Sequence, residues 1–74
     1  MRTQATRATD LSVPNDLESA RAKLVYLYVT VNGGATVEEI CRDLAIGTGT
    51  ALTITKSLRR KEHVQRRGDR YVPT

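Results

Sequence analysis

A chain of 74 residues with net charge +4 and a pI near 9.7 is at most one domain, and a domain that small is marginal for a single core. With no Trp, no Phe and three Tyr, the core must be mainly aliphatic, and the single Cys41 excludes an internal disulfide and suits a reducing cytoplasm. No apolar run approaches the roughly 18 residues of a membrane span, no apolar h-region marks a signal peptide, and the basic balance favours a polyanionic partner.

The first ten residues, MRTQATRATD, are rich in Thr, Arg and Ala and show no apolar periodicity. Residues 1–13 are therefore expected to form a disordered tail and residues 14–74 the folded domain. Arg2 and Arg7 could follow a nucleic-acid backbone or minor groove as basic arms do; an inert tail fits two arginines equally well. Pro14-Asn15-Asp16 punctuates the boundary, Asn15 or Asp16 can N-cap a helix, and Glu18 suits its first turn. Leu17, Ala20, Leu24, Leu27/Tyr28 and Val31 then recur at helical spacing, with Arg21 and Lys23 off the stripe. Asn32-Gly33-Gly34 stops the helix. The spacing predicts a first helix over 16–31 that buries this stripe.

Thr36-Val37-Glu38-Glu39 is a capping box, with Thr36 at N-cap and Glu39 three residues on. It starts a short second helix over 37–44 whose apolar stripe is Ile40, Cys41 and Leu44. Ala45-Ile46-Gly47 is a tight turn, with Ile46 plugging the core. A third helix begins near Thr48, capped by Thr48 or Gly47, and buries Ala51, Ile54/Thr55 and Leu58. Thr50, Thr53 and Thr55 are poor helix formers, but their hydroxyls are useful on an exposed face.

After Lys61 the periodicity changes from 3.6 to 2. His63–Arg66 and Arg70–Val72 read as the strands of a hairpin, with Arg67-Gly68-Asp69 as its turn and Pro73 ending the second strand. The fold class is therefore mainly α with a small β-hairpin (α+β), a winged helix-turn-helix of three helices plus a wing.

Enzymatic chemistry is poorly supported. The one His and the one Cys are 22 positions apart; Cys41 falls on an apolar stripe and His63 at a strand start, both positions of packing residues. A zinc site needs about four ligands at suitable spacing, and the glycines lack the Walker pattern. No catalytic residue, cofactor, metal or small-molecule effector is expected. The charge distribution is more informative. Residues 47–72 hold seven of the twelve basic side chains, Lys56, Arg59, Arg60, Lys61, Arg66, Arg67 and Arg70, against Glu62 and Asp69 alone.

A helix in the major groove needs short polar side chains near its N-terminus to reach base edges and cations farther along for phosphates. With Ala51, Ile54/Thr55 and Leu58 inside, the opposite face carries Thr48, Gly49, Leu52, Thr53, Lys56 and Arg59/Arg60. Thr48 and Thr53 could bond bases, Leu52 could touch a thymine methyl, Lys56 a phosphate or guanine, and Arg59 and Arg60 phosphates. Arg66, Arg67 and Arg70 cluster around Gly68, where a wing tip meets the minor groove and its negative potential; Asp69 serves the turn. The bland alternative is a solvated basic face whose cations complement the helix dipole.

From Leu17 to Val72 the chain resembles the winged-helix domains of TrmB/MarR-like regulators, most nearly small stand-alone haloarchaeal TrmB-like proteins. LESARAKLVYLYV resembles their first helix, and GATVEEICRDLAI their T-x-E-E-[IL]-x-x-x-L-x-[IL] second helix and turn. TGTALTITKSLRRKEHV resembles a recognition helix, and RRGDRYV a very short wing. The resemblance implies base reading by Thr48, Thr50, Thr53 and Lys56, and backbone or minor-groove contact by Arg66, Arg67 and Arg70. The chain departs from the pattern at Glu62, where a glycine is usual, at His63, where a leucine is usual, and at Gly47 and Gly49 beside the third helix's start. Its basic charge is unusual for a halophile. It has no counterpart of the family's effector domain, so sugar sensing is not carried over.

The expected function is sequence-specific binding of double-stranded DNA by a cytoplasmic, nucleoid-associated transcriptional regulator. The third helix (48–60) would lie in the major groove and the wing (63–72) on the flank. A protein-interaction adaptor and a structured-RNA binder are the alternatives. So small a module buries modest DNA surface, which makes a homodimer plausible. The first helix, with Tyr26 and Tyr28 near its end, is the candidate surface, although Tyr28 also reads as a core residue.

Overall fold

The computed structural model describes residues 13–17 and 19–74. The expectations for Arg2, Arg7 and Glu18, and for all of residues 1–12, lie outside them. Three helices and a three-stranded antiparallel sheet follow in the order α1 (Ala20–Asn32), β1 (Ala35–Thr36), α2 (Val37–Leu44), α3 (Thr48–Arg60), β2 (Val64–Arg67) and β3 (Arg70–Pro73). This is a winged-helix-like α+β topology. In the sheet β3 lies between β1 and β2.

Helix α1 starts later than residue 16. Its N-cap is Ser19, whose Oγ accepts from the Ala22 N–H at 3.0 Å. Asp16 is engaged elsewhere, with its carbonyl accepting from Lys61 Nζ and its carboxylate 2.7 Å from His63 Nε2. Val13, expected in the tail, packs against the core. The expected buried stripe of α1 is also corrected: Val25 and Val29 are fully buried, whereas Ala20 is exposed and Leu24 and Val31 are 45% and 65% exposed. Of the expected positions Leu17 is buried but precedes the helix, and Tyr28, half-buried, packs against the core as its alternative reading allowed. Because α1 is apolar on nearly every side, periodicity alone admits two phases.

Helix α2 forms as its capping box dictates. Thr36 Oγ1 accepts from the Glu39 N–H at 3.1 Å, and Glu39 Oε1 accepts from the Thr36 N–H at 3.0 Å. Helix α3 buries Ala51, Ile54, Thr55 and Leu58 as expected, with Gly47 at its N-cap. Thr55 is not part of an exposed face. It is 1% exposed, and its Oγ1 bonds back to the carbonyls of Ala51 and Leu52 at 3.0 and 3.1 Å.

All three helices end in a left-handed residue: Gly33 (φ 70°), Ala45 (φ 55°) and Glu62 (φ 66°). At the end of α3 the Glu62 N–H donates to the Arg59 carbonyl and the His63 N–H to the Leu58 carbonyl, both at 2.9 Å. This pairing of the two residues after the cap is a Schellman motif. The Glu62 side chain therefore occupies a conformation that glycine adopts without strain.

Strand β1 was not expected from the sequence. Its two residues pair as Ala35 with Tyr71 and Thr36 with Arg70, which ties the α1–α2 connection to the hairpin. The hairpin pairs Val64 with Pro73 through Arg67 with Arg70, so its loop is the two residues Gly68-Asp69. Gly68 carries the positive φ (63°) of a glycine-first two-residue turn. The core between helices and sheet is aliphatic apart from Tyr71: Val25, Val29, Ile40, Ile46, Leu58 and Val64 are among its members. Each fully buried aliphatic side chain contributes roughly 1.5–3 kcal/mol.

Candidate nucleic-acid interface

Burial of Ala51, Ile54, Thr55 and Leu58 turns the rest of α3 outward. Thr48, Gly49, Leu52, Thr53, Lys56, Arg59 and Arg60 are all exposed, and Leu52 is 47% exposed. Thr50 is half-buried and lines a hollow with Ser19, Ala20 and Arg21 at the start of α1. It belongs to the α1 side of α3, while Thr48 and Leu52 belong to the wing side, where they share a groove with Arg66 and Tyr71. Because successive helical residues turn by about 100°, the predicted base-reading threonines spread over both flanks rather than forming one row. Thr53 lines the α1-side hollow and remains exposed. Thr48 Oγ1 lies 3.9 Å from Cys41 Sγ, which links the start of α3 to α2.

The far half of α3 is simpler. Lys56, Arg59 and Arg60 converge on one surface hollow. None of them forms an ion pair among the described residues. Three adjacent cations repel one another and are attracted by the partial negative charge at the helix C-terminus; a bound polyanion would remove the repulsion.

The wing arginines do not act together. Directly paired residues share a face of a sheet and successive residues alternate. Arg66, opposite the buried Tyr71, is on the face toward the helices; Arg67, opposite Arg70, is on the other. The Arg66 Nε donates to the Gly68 carbonyl at 2.9 Å and its guanidinium lies 6.0 Å from the centre of the Tyr71 ring. Arg70 donates through Nη2 to the Gly34 carbonyl at 3.0 Å, and its Nη1 is 3.8 Å from Glu39 Oε1. Arg70 thus holds the sheet to the loop before α2. Lys61 is likewise occupied, by the Asp16 carbonyl. Of the seven basic side chains in this stretch, Lys56, Arg59, Arg60 and Arg67 make no side-chain hydrogen bond or ion pair among the described residues.

The sequence does not show where two acids come together. Glu38 and Asp69 both line the groove between α3 and the wing. Both Glu38 and Glu39 are in the first turn of α2, where an acid suits the dipole, but only Glu39 caps. The signal available was that a capping box uses a single acid. Together the two carboxylates make this groove a poor path for a phosphate backbone, which leaves Lys56, Arg59 and Arg60 at the far end of α3 as the clustered cations of this stretch.

The shifted titrations lie away from this surface. The hydrogen bond to His63 holds the Asp16 carboxyl below its ordinary value. The Tyr28 hydroxyl, donating to Asp43 Oδ2, and then Arg42 Nε at 3.1 Å hold Asp43 low, while the same bond to Asp43 raises Tyr28. Cys41 and His63 sit on separate elements, and His63 packs edge-on against Tyr26 at 6.1 Å. Among the described residues no three His, Cys, Asp or Glu side chains are grouped to hold a metal ion, and no helix is long and apolar enough to cross a membrane. No family model, curated protein or solved structure matches the chain.

Proposed function

We propose that this domain binds double-stranded DNA and regulates transcription, with α3 in the major groove and the β2–β3 hairpin on the flanking backbone or minor groove. The observation that carries this reading is the cluster of Lys56, Arg59 and Arg60, none of them in an ion pair among the described residues, on the same helix as the exposed neutral side chains of Thr53, Leu52 and Thr48. Cations at one end of an exposed helix and short polar groups at the other match the division between phosphate contact and base contact. The likeness to TrmB/MarR-like winged helices supports the same assignment. In this reading Lys56, Arg59, Arg60 and Arg67 meet phosphates, Thr48 and Thr53 meet base edges, and Leu52 meets a thymine methyl. Arg66 reaches DNA only with the donors that Gly68 leaves free, Arg70 contributes chiefly to the fold, and Thr50 stands at the margin beside α1.

The test is a salt titration of binding to duplex DNA. Log K should fall with log salt by about 0.9 per phosphate contacted, and a Lys56→Ala, Arg59→Ala, Arg60→Ala variant should lower the slope by up to about three such contacts. Arg67→Ala should weaken all sequences alike, and Thr53→Ala should weaken a selected site more than random DNA. Binding that is flat in salt, or absent for every duplex, removes the DNA reading and leaves a protein-interaction adaptor. Preference for A-form RNA in competition would redirect it to structured RNA, whose deep, narrow major groove does not admit α3.

A further inference from the structure

Four of the residues expected on the core stripe of α1 form a second apolar stripe on its outer side. Ala20, Leu24, Leu27 and Val31 follow one another at spacings of four, three and four, the period of a two-helix seam. Ala20, Leu24 and Val31 are exposed, and Leu27 is half-buried without belonging to the residues packed on the core. The core-facing stripe is separate: Ala22, Val25, Tyr26 and Val29 face the core, with Tyr28 packed on its edge. A helix apolar on both faces is built to be covered on both.

We propose that the outer stripe pairs with the same stripe of a second copy of this chain, with the two α1 helices antiparallel. This inference is independent of DNA binding. Charge selects both the occupant and its direction. The described residues of α1 include no acid, and its cations Arg21 and Lys23 lie near its N-terminus, against its own dipole; its last turn has no base. A parallel pair would bring the Arg21 and Lys23 of both copies together. An antiparallel pair places them near the C-terminal end of the other α1, whose own last turn carries no base, at both ends at once, as a two-fold interface requires. The seam is then self-complementary: Ala20 faces Val31 of the second copy, and Leu24 faces Leu27 of the second copy. On the flank shared by Arg21 and Tyr28, Arg21 approaches the Tyr28–Asp43 pair of the second copy, a cation toward a carboxylate.

Thirteen helical residues span about 20 Å. One helix face of that length falls short of the roughly 800 Å² per partner of a stable interface. The dimer is therefore weak and concentration-dependent.

Light scattering or sedimentation of the full chain between roughly 10 µM and 1 mM tests this, since weak association shows in that range. The average mass should rise from 8.2 kDa toward twice that value. A Leu24→Asp, Val31→Asp double variant should stay at the monomer mass with its helical circular dichroism intact, because both side chains are exposed. A Leu52→Asp control, at similar exposure on α3, should associate like the wild type. Wild type that remains monomeric throughout, or a double variant that associates equally well, overturns the pairing and leaves the stripe to residues 1–12 or to another protein.

Direction is tested by disulfide trapping in a Cys41→Ser background. Ala20→Cys mixed with Val31→Cys should cross-link. Ala20→Cys alone should not, since the two positions lie about 16 Å apart along an antiparallel pair, beyond the roughly 7 Å a disulfide spans. Efficient self-linking of Ala20→Cys would establish a parallel pair instead.

Discussion

Arg70 and Gly34, 36 positions apart, are joined by a hydrogen bond of 3.0 Å from the guanidinium Nη2 to the glycine carbonyl. Gly34 is buried, and its carbonyl takes this donor from the wing. The same guanidinium faces Glu39, whose Oε1 completes the α2 capping box. One side chain thus links the end of α1, the start of α2 and the central strand. An arginine that reads in the sequence as a DNA contact is in the structure a brace.

This separates the wing arginines by experiment. Arg70→Ala should lower unfolding free energy by about 1 kcal/mol, a charge-assisted hydrogen bond discounted for the half-exposed side chain. Arg67→Ala should leave it within roughly 0.5 kcal/mol, as surface substitutions do. Urea denaturation of the two variants decides the matter, and equal losses would remove the brace.

Glu62 holds a positive φ at the C-terminal end of α3. Left-handed backbone costs a residue with a side chain roughly 1–2 kcal/mol, part of which glycine returns through its freer unfolded chain. Glu62→Gly should therefore raise stability by about 0.5–1 kcal/mol in thermal or urea unfolding. A neutral or destabilising result would mean that the Glu62 side chain contributes a contact that outweighs the strain.

Gly34 should behave in the opposite way. Its φ is 135°, and a Cβ there would lie 2.9 Å from Val72 Cγ1 and 3.4 Å from the Tyr71 carbonyl oxygen. Gly34→Ala would push on the central strand at Val72 and at Tyr71, which pairs with Ala35 of β1. We expect a loss of about 2 kcal/mol or more, from strain and overpacking together. Gly33→Ala is the control, since nothing lies within 4 Å of its Cβ position and only its φ of 70° is unfavourable. If the two variants lose the same stability, steric contact at Gly34 is irrelevant.

The Asp16–His63 pair gives acid unfolding a defined sign. The hydrogen bond from His63 lowers the Asp16 carboxyl below 3.8. A depressed carboxyl contributes stability that is fully present above its unfolded-state value and is lost as pH falls through the folded value. The loss should therefore fall below about pH 4. Asp43, held low by Tyr28 and Arg42, adds to the same limb. Melting temperature followed from pH 6 to pH 2 should fall less steeply for Asp16→Asn than for wild type below about pH 4. Superimposable acid limbs would show that the pair contributes nothing to folding.

What could be read locally was read well. The Thr36–Glu39 capping box, the span of α2, the buried Ala51, Ile54 and Leu58 of α3, the inward Ile46 and the turn at Gly68 all rest on signals within a few residues. The start of α1 was misplaced because Asn15, Asp16 and Ser19 are all competent caps; the choice fell to Ser19 once Asp16 was engaged by Lys61 and His63. The phase of α1 was missed because its outer stripe has the cleaner heptad spacing. Strand β1 was missed because two residues are too few for any periodicity.

The candidate site divides along the same line. Exposure of Lys56, Arg59 and Arg60 follows from helical geometry once the apolar positions of α3 are known. The fate of Arg66 and Arg70 does not, because it depends on strand register: a two-residue loop places Arg66 beside Tyr71 and sends Arg70 back to Gly34. Sequence alone thus determined α2, α3 and the hairpin, the caps of α2 and α3, and where positive charge accumulates, since these depend on residue type and short spacing. Only the tertiary structure decided which apolar face of α1 is covered, which arginines are occupied and that Glu38 and Asp69 line one groove. Those outcomes rest on contacts between residues distant along the chain, for which local spacing carries no signal.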